Sequence, residues 1–419
     1  MINVVRFVII VVRERAIGIA LVAALVLVAQ WGPSEAVGGT GRSGVGALFV
    51  ALGGSDSGVC SKLAPCASFG RAYKLAGPGA VVEVAGGSYP LQTLLVDPVK
   101  VVGPDVVFRP AVGASVTLAE FVSGDTKTKV GATRFELRDM KVSSYVRVRW
   151  GSADVTLRNI DAGGLNLTSA SRVKVLGGDY GPMVDGVSHI NACGVSGCFP
   201  AEDILIDGAL FHDYTITDPA KHSECLMIWP GRRVTIRNST FRNCTDFDVL
   251  VKPYNTGLVG LPGEITLENN FLDEPIIGEG CFCNRGGNAI ALTQGGGESW
   301  SGAQIRYNST LGGIRVDPMI RNANLTGNIA RKDTNYSCQT NISYAYNIWS
   351  GAKCSPTDKT AALSGLFLSP TSGAGLDLSL RSGAAAIDAG NPASFPPTDG
   401  RGNPRPQGGA PDAGAHERT

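Results

Sequence analysis

Charge of either sign in excess is the first thing missing from this 419-residue chain: 37 Lys and Arg meet 36 Asp and Glu. Without a net field the whole protein has no means of steering nucleic acid or an anionic surface, so nucleic acid is excluded as an expected partner. Histidine is scarce, and His189, His212, His222 and His416 are scattered. That argues against a zinc centre, which needs ligands at close spacing. Glycine is abundant (55) but lacks the period of three that marks collagen. No calcium-loop motif is present. The longest uncharged apolar run, Ala16 to Ala29, falls short of the roughly 20 residues that span a bilayer.

That run has a use of its own. Arg6, Arg13 and Arg15 precede it and the small-residue stretch Gly32-Pro-Ser-Glu-Ala-Val37 follows, the layout of a secretory signal over residues 1–36. An uncleaved anchor is the alternative, and would be the chain's one expected membrane contact. A Gly/Ser-rich linker follows at 37–47. The expected location is therefore secreted or on the cell surface. In an exported chain, ten cysteines read as disulfides. Local spacing suggests Cys60–Cys66, Cys193–Cys198, Cys225–Cys244 and Cys338–Cys354. Cys281 and Cys283 stay open, because cysteines two apart bond each other only with strain.

What the chain has in quantity is one repeated phrase. Ile204-Leu-Ile-Asp-Gly-Ala-Leu-Phe and Val234-Thr-Ile-Arg-Asn-Ser-Thr-Phe share a β-branched strand, a small or Asn turn and an aromatic. The phrase returns at Ile265, with weaker forms at Val155, Val173 and Ile305. A strand-and-turn unit repeating every 18 to 40 residues predicts stacked coils, each burying its apolar face against its neighbours. Asn-x-Ser/Thr triplets at Asn166, Asn238, Asn243, Asn308, Asn324, Asn335 and Asn341 are read as coil corners, where Asn tolerates left-handed geometry. Ahead of the coils, Ser68 to Ala76 has helical spacing of Phe69, Tyr73 and Leu75, and predicts a short helix covering the open end of the stack.

The entry Phe49-Val-Ala-Leu-Gly-Gly-Ser-Asp-Ser-Gly58 with Pro65-Cys-Ala-Ser-Phe-Gly-Arg-Ala-Tyr73 resembles that of secreted right-handed parallel β-helix proteins of the pectin-lyase-like superfamily. Ala386-Ile-Asp-Ala-Gly390, Thr398-Asp-Gly-Arg401 and Asp412-Ala-Gly-Ala-His-Glu417 resemble the module often found behind such helices. The expected architecture is an all-β, right-handed parallel β-helix over 48–355, capped by the helix, with a Pro/Gly-rich module at 356–419 closing the stack as a monomer. The fold alone does not fix an activity.

Candidate chemistry concentrates between His212 and Tyr254. Ser223-Glu-Cys-Leu-Met-Ile228 resembles the Asp-Asp-Cys-Ile-Ala-Ile strand of polygalacturonase-type glycoside hydrolases, with Glu224 in the place of the second carboxylate. Ser223 replaces the first, and no Gly-His-Gly or Arg-Ile-Lys segment follows. Paired carboxylates split a glycosidic bond as acid and base, so Glu224, assisted by His222 and Asp246, is the candidate acid/base set. Strand alternation predicts Asp246, Asp248 and Lys252 on the outward face and Phe247, Val249 and Val251 inward. A polysaccharide lyase would instead use Lys252 as base, with calcium held by Asp246, Asp248 and Asp218; otherwise no cofactor is expected. Trp229, Tyr254 and Trp300 are candidate sugar platforms, and Arg232 and Arg233 a candidate basic patch for substrate. The expected role is binding, and cleaving by hydrolysis, a polysaccharide laid across the coils. The alternative is a non-catalytic adhesion scaffold.

Overall fold

A computed structural model describes residues 47–418, apart from 194–197, 219–220, 222, 254–259, 276–286, 295–298 and 332–337. The signal segment, His222, Tyr254, Cys281 and Cys283 lie outside the described residues. Among the described residues, no helix is long and apolar enough to cross a membrane.

Every ladder of the main sheet is parallel and joins one coil to the next, as in Val173↔Ile204 and Ile204↔Val234. Strands recur in three rows, so each coil contributes to three faces of a parallel β-helix. The first face runs through Val81–Val84, Ser171–Leu176, Ala201–Asp207, Gly231–Arg237 and Gly263–Glu268. The second runs through Leu210–Thr215, Thr240–Cys244 and Phe271–Leu272. The third runs through Ser188–Asn191, Leu226–Trp229, Val249–Val251 and Asn288–Leu292.

The repeated phrase explains the interior. Its β-branched residues stack in register, Val155 on Val173, Ile204, Val234 and Ile265. Its aromatic stacks too: Tyr180, Phe211 and Phe241 lie ring on ring with centroids 5.1 Å apart at each step. Corners between faces need left-handed backbone, and one residue per coil supplies it: Arg134, Asp154, Arg172, Asp203, Arg233 and Glu264 all have φ between 49° and 56°. Asn238 and Asn243 fill other such corners, as the Asn reading expected.

The predicted helix is present at Phe69–Leu75, capped by the Ser68 side chain, with Phe69, Ala72 and Tyr73 buried against the first coils. The four predicted disulfides form. The C-terminal segment does more than close the stack. Its Lys359–Thr360 pairs in parallel with Ile348–Trp349 of the last coil, and the residues beyond fold back along the second face. Their antiparallel pair Phe367–Ser369 and Asp377–Leu380 covers Phe271, Ile329 and Ile348. Those three point outward in register with one another through Ser309. The second face is thus apolar on both sides there, and the module shields the outer side from water.

Candidate functional site

The three faces differ in how their outward side chains are engaged. On the first face, charges pair among themselves from coil to coil. Arg172 meets Asp154 at 2.7 Å, Arg233 meets Asp203 at 2.5 Å and Arg237 meets Asp207 at 2.8 Å. The second face is covered over its later coils by the C-terminal module. The third face is different.

On the third face alternate positions point outward in two parallel columns. One column reads Arg147, Asn166, His189, Met227, Leu250, Ala291 and Arg315. The other reads Arg149, Thr168, Asn191 and Trp229, and continues to Lys252 and Thr293 through their amide bonds to the neighbouring strand. Met227, Leu250 and Ala291 form a buried apolar floor with Val187 and Phe247, and the partly exposed Trp229 packs against it. Polar groups flank that floor along the axis: Thr168 Oγ1 lies 2.7 Å from Asn191 Oδ1, and Arg147 pairs with Glu120. The His189 ring lies 6.3 Å from that of Trp229, and the Lys252 ammonium stands 5.0 Å over the same indole. Burial lowers the His189 pKa below the usual imidazole value; Arg147 acts in the same direction and Glu224 opposes. His189 is thus held neutral, able to donate and accept.

Where the second face turns into the third, two successive coils carry three buried carboxyls. Glu224 precedes the strand Leu226–Trp229, and Asp246 and Asp248 precede Val249–Val251. The Cys225–Cys244 disulfide fastens these two corners together, and Cys225 N–H donates to the Phe247 carbonyl at 3.2 Å. All three carboxyls are fully buried, which corrects the expectation that Asp246 and Asp248 stand outward. Strict alternation fails because Asp246 is left-handed (φ 62°) and the Phe247 amide turns back to the Thr245 carbonyl at 2.8 Å. Phe247 accordingly joins the apolar floor of the third face, and only Val249 and Val251 face the main core. Burial raises the Asp248 pKa well above the usual carboxylate range, and the charge of Asp273 adds to it. Asp273 itself accepts amide hydrogen bonds from Glu274 and Gly373, both at 2.7 Å.

Other expected site residues fall elsewhere. Arg232 and Arg233 have turned the corner onto the first face, where Arg233 is fully engaged by Asp203 and Glu202. Trp300 is no platform: it is buried, donating Nε1–H to the Thr293 carbonyl at 3.0 Å. Lys252 remains on the third face, over Trp229. Asp218, Asp246 and Asp248 are not brought together as a metal-binding group, and no cluster of three such ligands exists among the described residues. Sequence reading missed His189 and Asn191. The signal was there, because in Ser188-His-Ile-Asn191 the apolar Ile190 faces inward and forces its neighbours out.

No family model and no curated protein matches the chain. Solved structures similar to it include pectate lyase Pel9A, with TM-score 0.46 and 15% identity, covering 90% of this chain and 98% of that one. The complex of XylC with xylose has TM-score 0.41 and 8% identity, covering 75% and 86%. PfbA, a surface adhesin of Streptococcus pneumoniae, has TM-score 0.33 and 11% identity, covering 67% and 73%. The strand pairing by itself defines the class, a parallel β-helix protein.

Proposed function

We propose that this protein binds an extended polysaccharide along its third face, the chain lying parallel to the solenoid axis. The observation that carries the reading is the axial row of partly exposed side chains, Asn166, His189, Asn191, Trp229 and Lys252, resting on a buried apolar floor. A sugar ring has an apolar face and a polar rim, and an apolar surface with a few placed polar groups is the usual way to hold such a ligand. The regular step of one coil, about 4.8 Å, repeats the same side-chain geometry and suits a polymer better than a single small molecule.

The test is binding to a panel of neutral and acidic polysaccharides by titration calorimetry. Trp229→Ala and Asn191→Ala are expected to weaken the best ligand by about tenfold each. Arg233→Ala, on the first face, is the control that leaves affinity unchanged. Failure of the whole panel, or equal affinity in all three variants, overturns the reading.

Cleavage is the second reading, favoured by the buried Asp248 carboxyl, whose pKa burial raises, at the edge of that face. A carboxyl with a raised pKa is the kind of group that serves as a general acid. Glu224 is the second carboxyl this reading uses. Reducing ends released without ultraviolet-absorbing product, and lost in both Glu224→Gln and Asp248→Asn, support hydrolysis. Ultraviolet-absorbing, unsaturated ends lost in Lys252→Ala point to elimination instead. Binding without either product leaves the scaffold role.

A further inference from the structure

Exposed apolar side chains are unevenly placed on this molecule. Fifteen large ones are exposed among the described residues, and ten of these lie between residues 52 and 112. Scattered single exposures need no explanation, whereas a concentration at one end marks an interaction surface. Its centre is the loop Leu95–Val102, in which Leu95, Val96, Val99, Val101 and Val102 are each about half exposed or more. Leu63, 98% exposed, lies on the loop at the other side of the capping helix. Between the helix and the 95–98 stretch is a cleft of about 450 Å³ lined by Tyr73, Lys74, Leu95, Val96 and Pro98.

This loop is fixed from within. Asp97 Oδ1 accepts the Val99 amide at 3.2 Å and its carboxylate pairs with the buried Lys100 ammonium. Thr133 Oγ1 donates to the Lys100 carbonyl at 3.0 Å, and the Arg134 guanidinium donates to the carbonyls of Val101 and Gly103 at 3.0 and 3.1 Å. Five tethers hold a row of valines and a leucine out toward water.

Two observations select the occupant. The outer edge of the first strand, Leu48–Val50, is already taken by the Cys60–Cys66 loop. The amides of Phe49 and Ala51 donate to Cys60 and Cys66, and the Cys66 amide donates to Phe49. A second copy therefore cannot add its strands here. The chain also enters the solenoid at this end, and the apolar stretch Ala16–Ala29, which stays on the chain in the uncleaved-anchor alternative, is separated from Ala47 by only 17 residues. We infer that the N-terminal end of the solenoid rests on a lipid bilayer, with Leu95, Val99, Val101 and Val102 entering the interface. Exposed Lys62 and Lys74 beside them meet the headgroups.

The probe is the full chain with vesicles of phosphatidylcholine and phosphatidylglycerol, with and without brominated acyl chains. Val101→Trp adds an indole at the centre of the patch, and Leu368→Trp places one on the C-terminal module as control. Relative to the parent chain, the added Val101→Trp emission is expected to shift to the blue and be quenched at least about twofold by brominated lipid. The Leu368→Trp emission is expected to stay unchanged. Equal, unquenched emission from both overturns the inference. So does a lipid-free, concentration-dependent blue shift of Val101→Trp that tracks dimer in sedimentation, since a second copy would then be the occupant. As an independent check, Leu95→Ser with Val99→Ser and Val101→Ser removes exposed groups only, and is expected to leave polysaccharide binding intact while abolishing contact of this end with lipid.

Discussion

Asp248 is one carboxyl whose surroundings decide its charge. Burial raises its pKa and the nearby Asp273 charge raises it further. In the unfolded chain an aspartate titrates near 3.9. Below that value both states hold the proton and the native environment costs nothing. As pH rises toward the raised native value, the unfolded state releases its proton first, so stability falls across that window. Asp248→Asn removes the titration. Its stability relative to the parent should therefore improve from pH 5 to pH 8, read as a widening difference in urea midpoint. An offset that is the same at both pH values would show that Asp248 does not titrate abnormally.

At the scale of the element, an internal asparagine ladder is the clearest device. Asn270, Asn308, Asn328 and Asn347 are buried and stacked coil on coil. The Asn308 amide N–H donates to Asn328 Oδ1 at 3.1 Å, that of Asn328 to Asn347 Oδ1 at 3.0 Å, and that of Asn347 to Asp358 Oδ1 at 2.9 Å. Each Nδ2 group also reaches a strand carbonyl of the preceding coil, as Asn328 does with Ile305 at 2.7 Å. Asparagine fits because its one side chain both donates and accepts along the axis. Asn328→Ala strands two buried backbone groups, the Asn308 amide and the Ile305 carbonyl. It should cost about 2–4 kcal/mol, read as a lower urea midpoint. Asn324→Ala, in the strand Ala323–Thr326 just before this corner and only partly buried, should cost well under 1 kcal/mol. Similar losses in both would mean the ladder carries no special weight.

For the molecule as a whole, a buried cation organises the C-terminal module where it meets the solenoid. Arg405 donates to the carbonyls of Asp412 and Gly414, both at 2.7 Å, lies 3.5 Å from the Glu417 carboxylate, and packs 4.9 Å from the Tyr307 ring. Tyr307 in turn accepts the Asn391 amide at 2.9 Å. Removing one partner of a buried pair leaves the other charge without compensation. Arg405→Ala should therefore destabilise by about 3–5 kcal/mol and expose Phe271, Ile329 and Ile348 to an apolar dye. Unfolding in one transition at the parent's midpoint would show that the module is not held in this way.

The repeat phrase contained most of the architecture. A β-branched strand, a left-handed corner and a stacking aromatic can be read from residue type alone, since period-two alternation and turn chemistry are local properties. The same holds for the Ser68-capped helix and the four disulfides, whose partners are near in sequence or one coil apart. Which face is open was not local. Arg232 and Arg233 looked free until the corner carried them onto a face where Asp203 and Glu202 neutralise Arg233. Trp300 looked like a loop residue until the stack enclosed it. Asp246 and Asp248 obeyed strand parity on paper, but a left-handed residue between the faces folded both carboxyls inward. His189 and Asn191 needed neighbouring coils to align them with Trp229. Sequence determined the coil, because the coil is built from local rules repeated. Tertiary structure decided the site, because charge pairing, burial and alignment across coils depend on residues 20 to 40 positions apart.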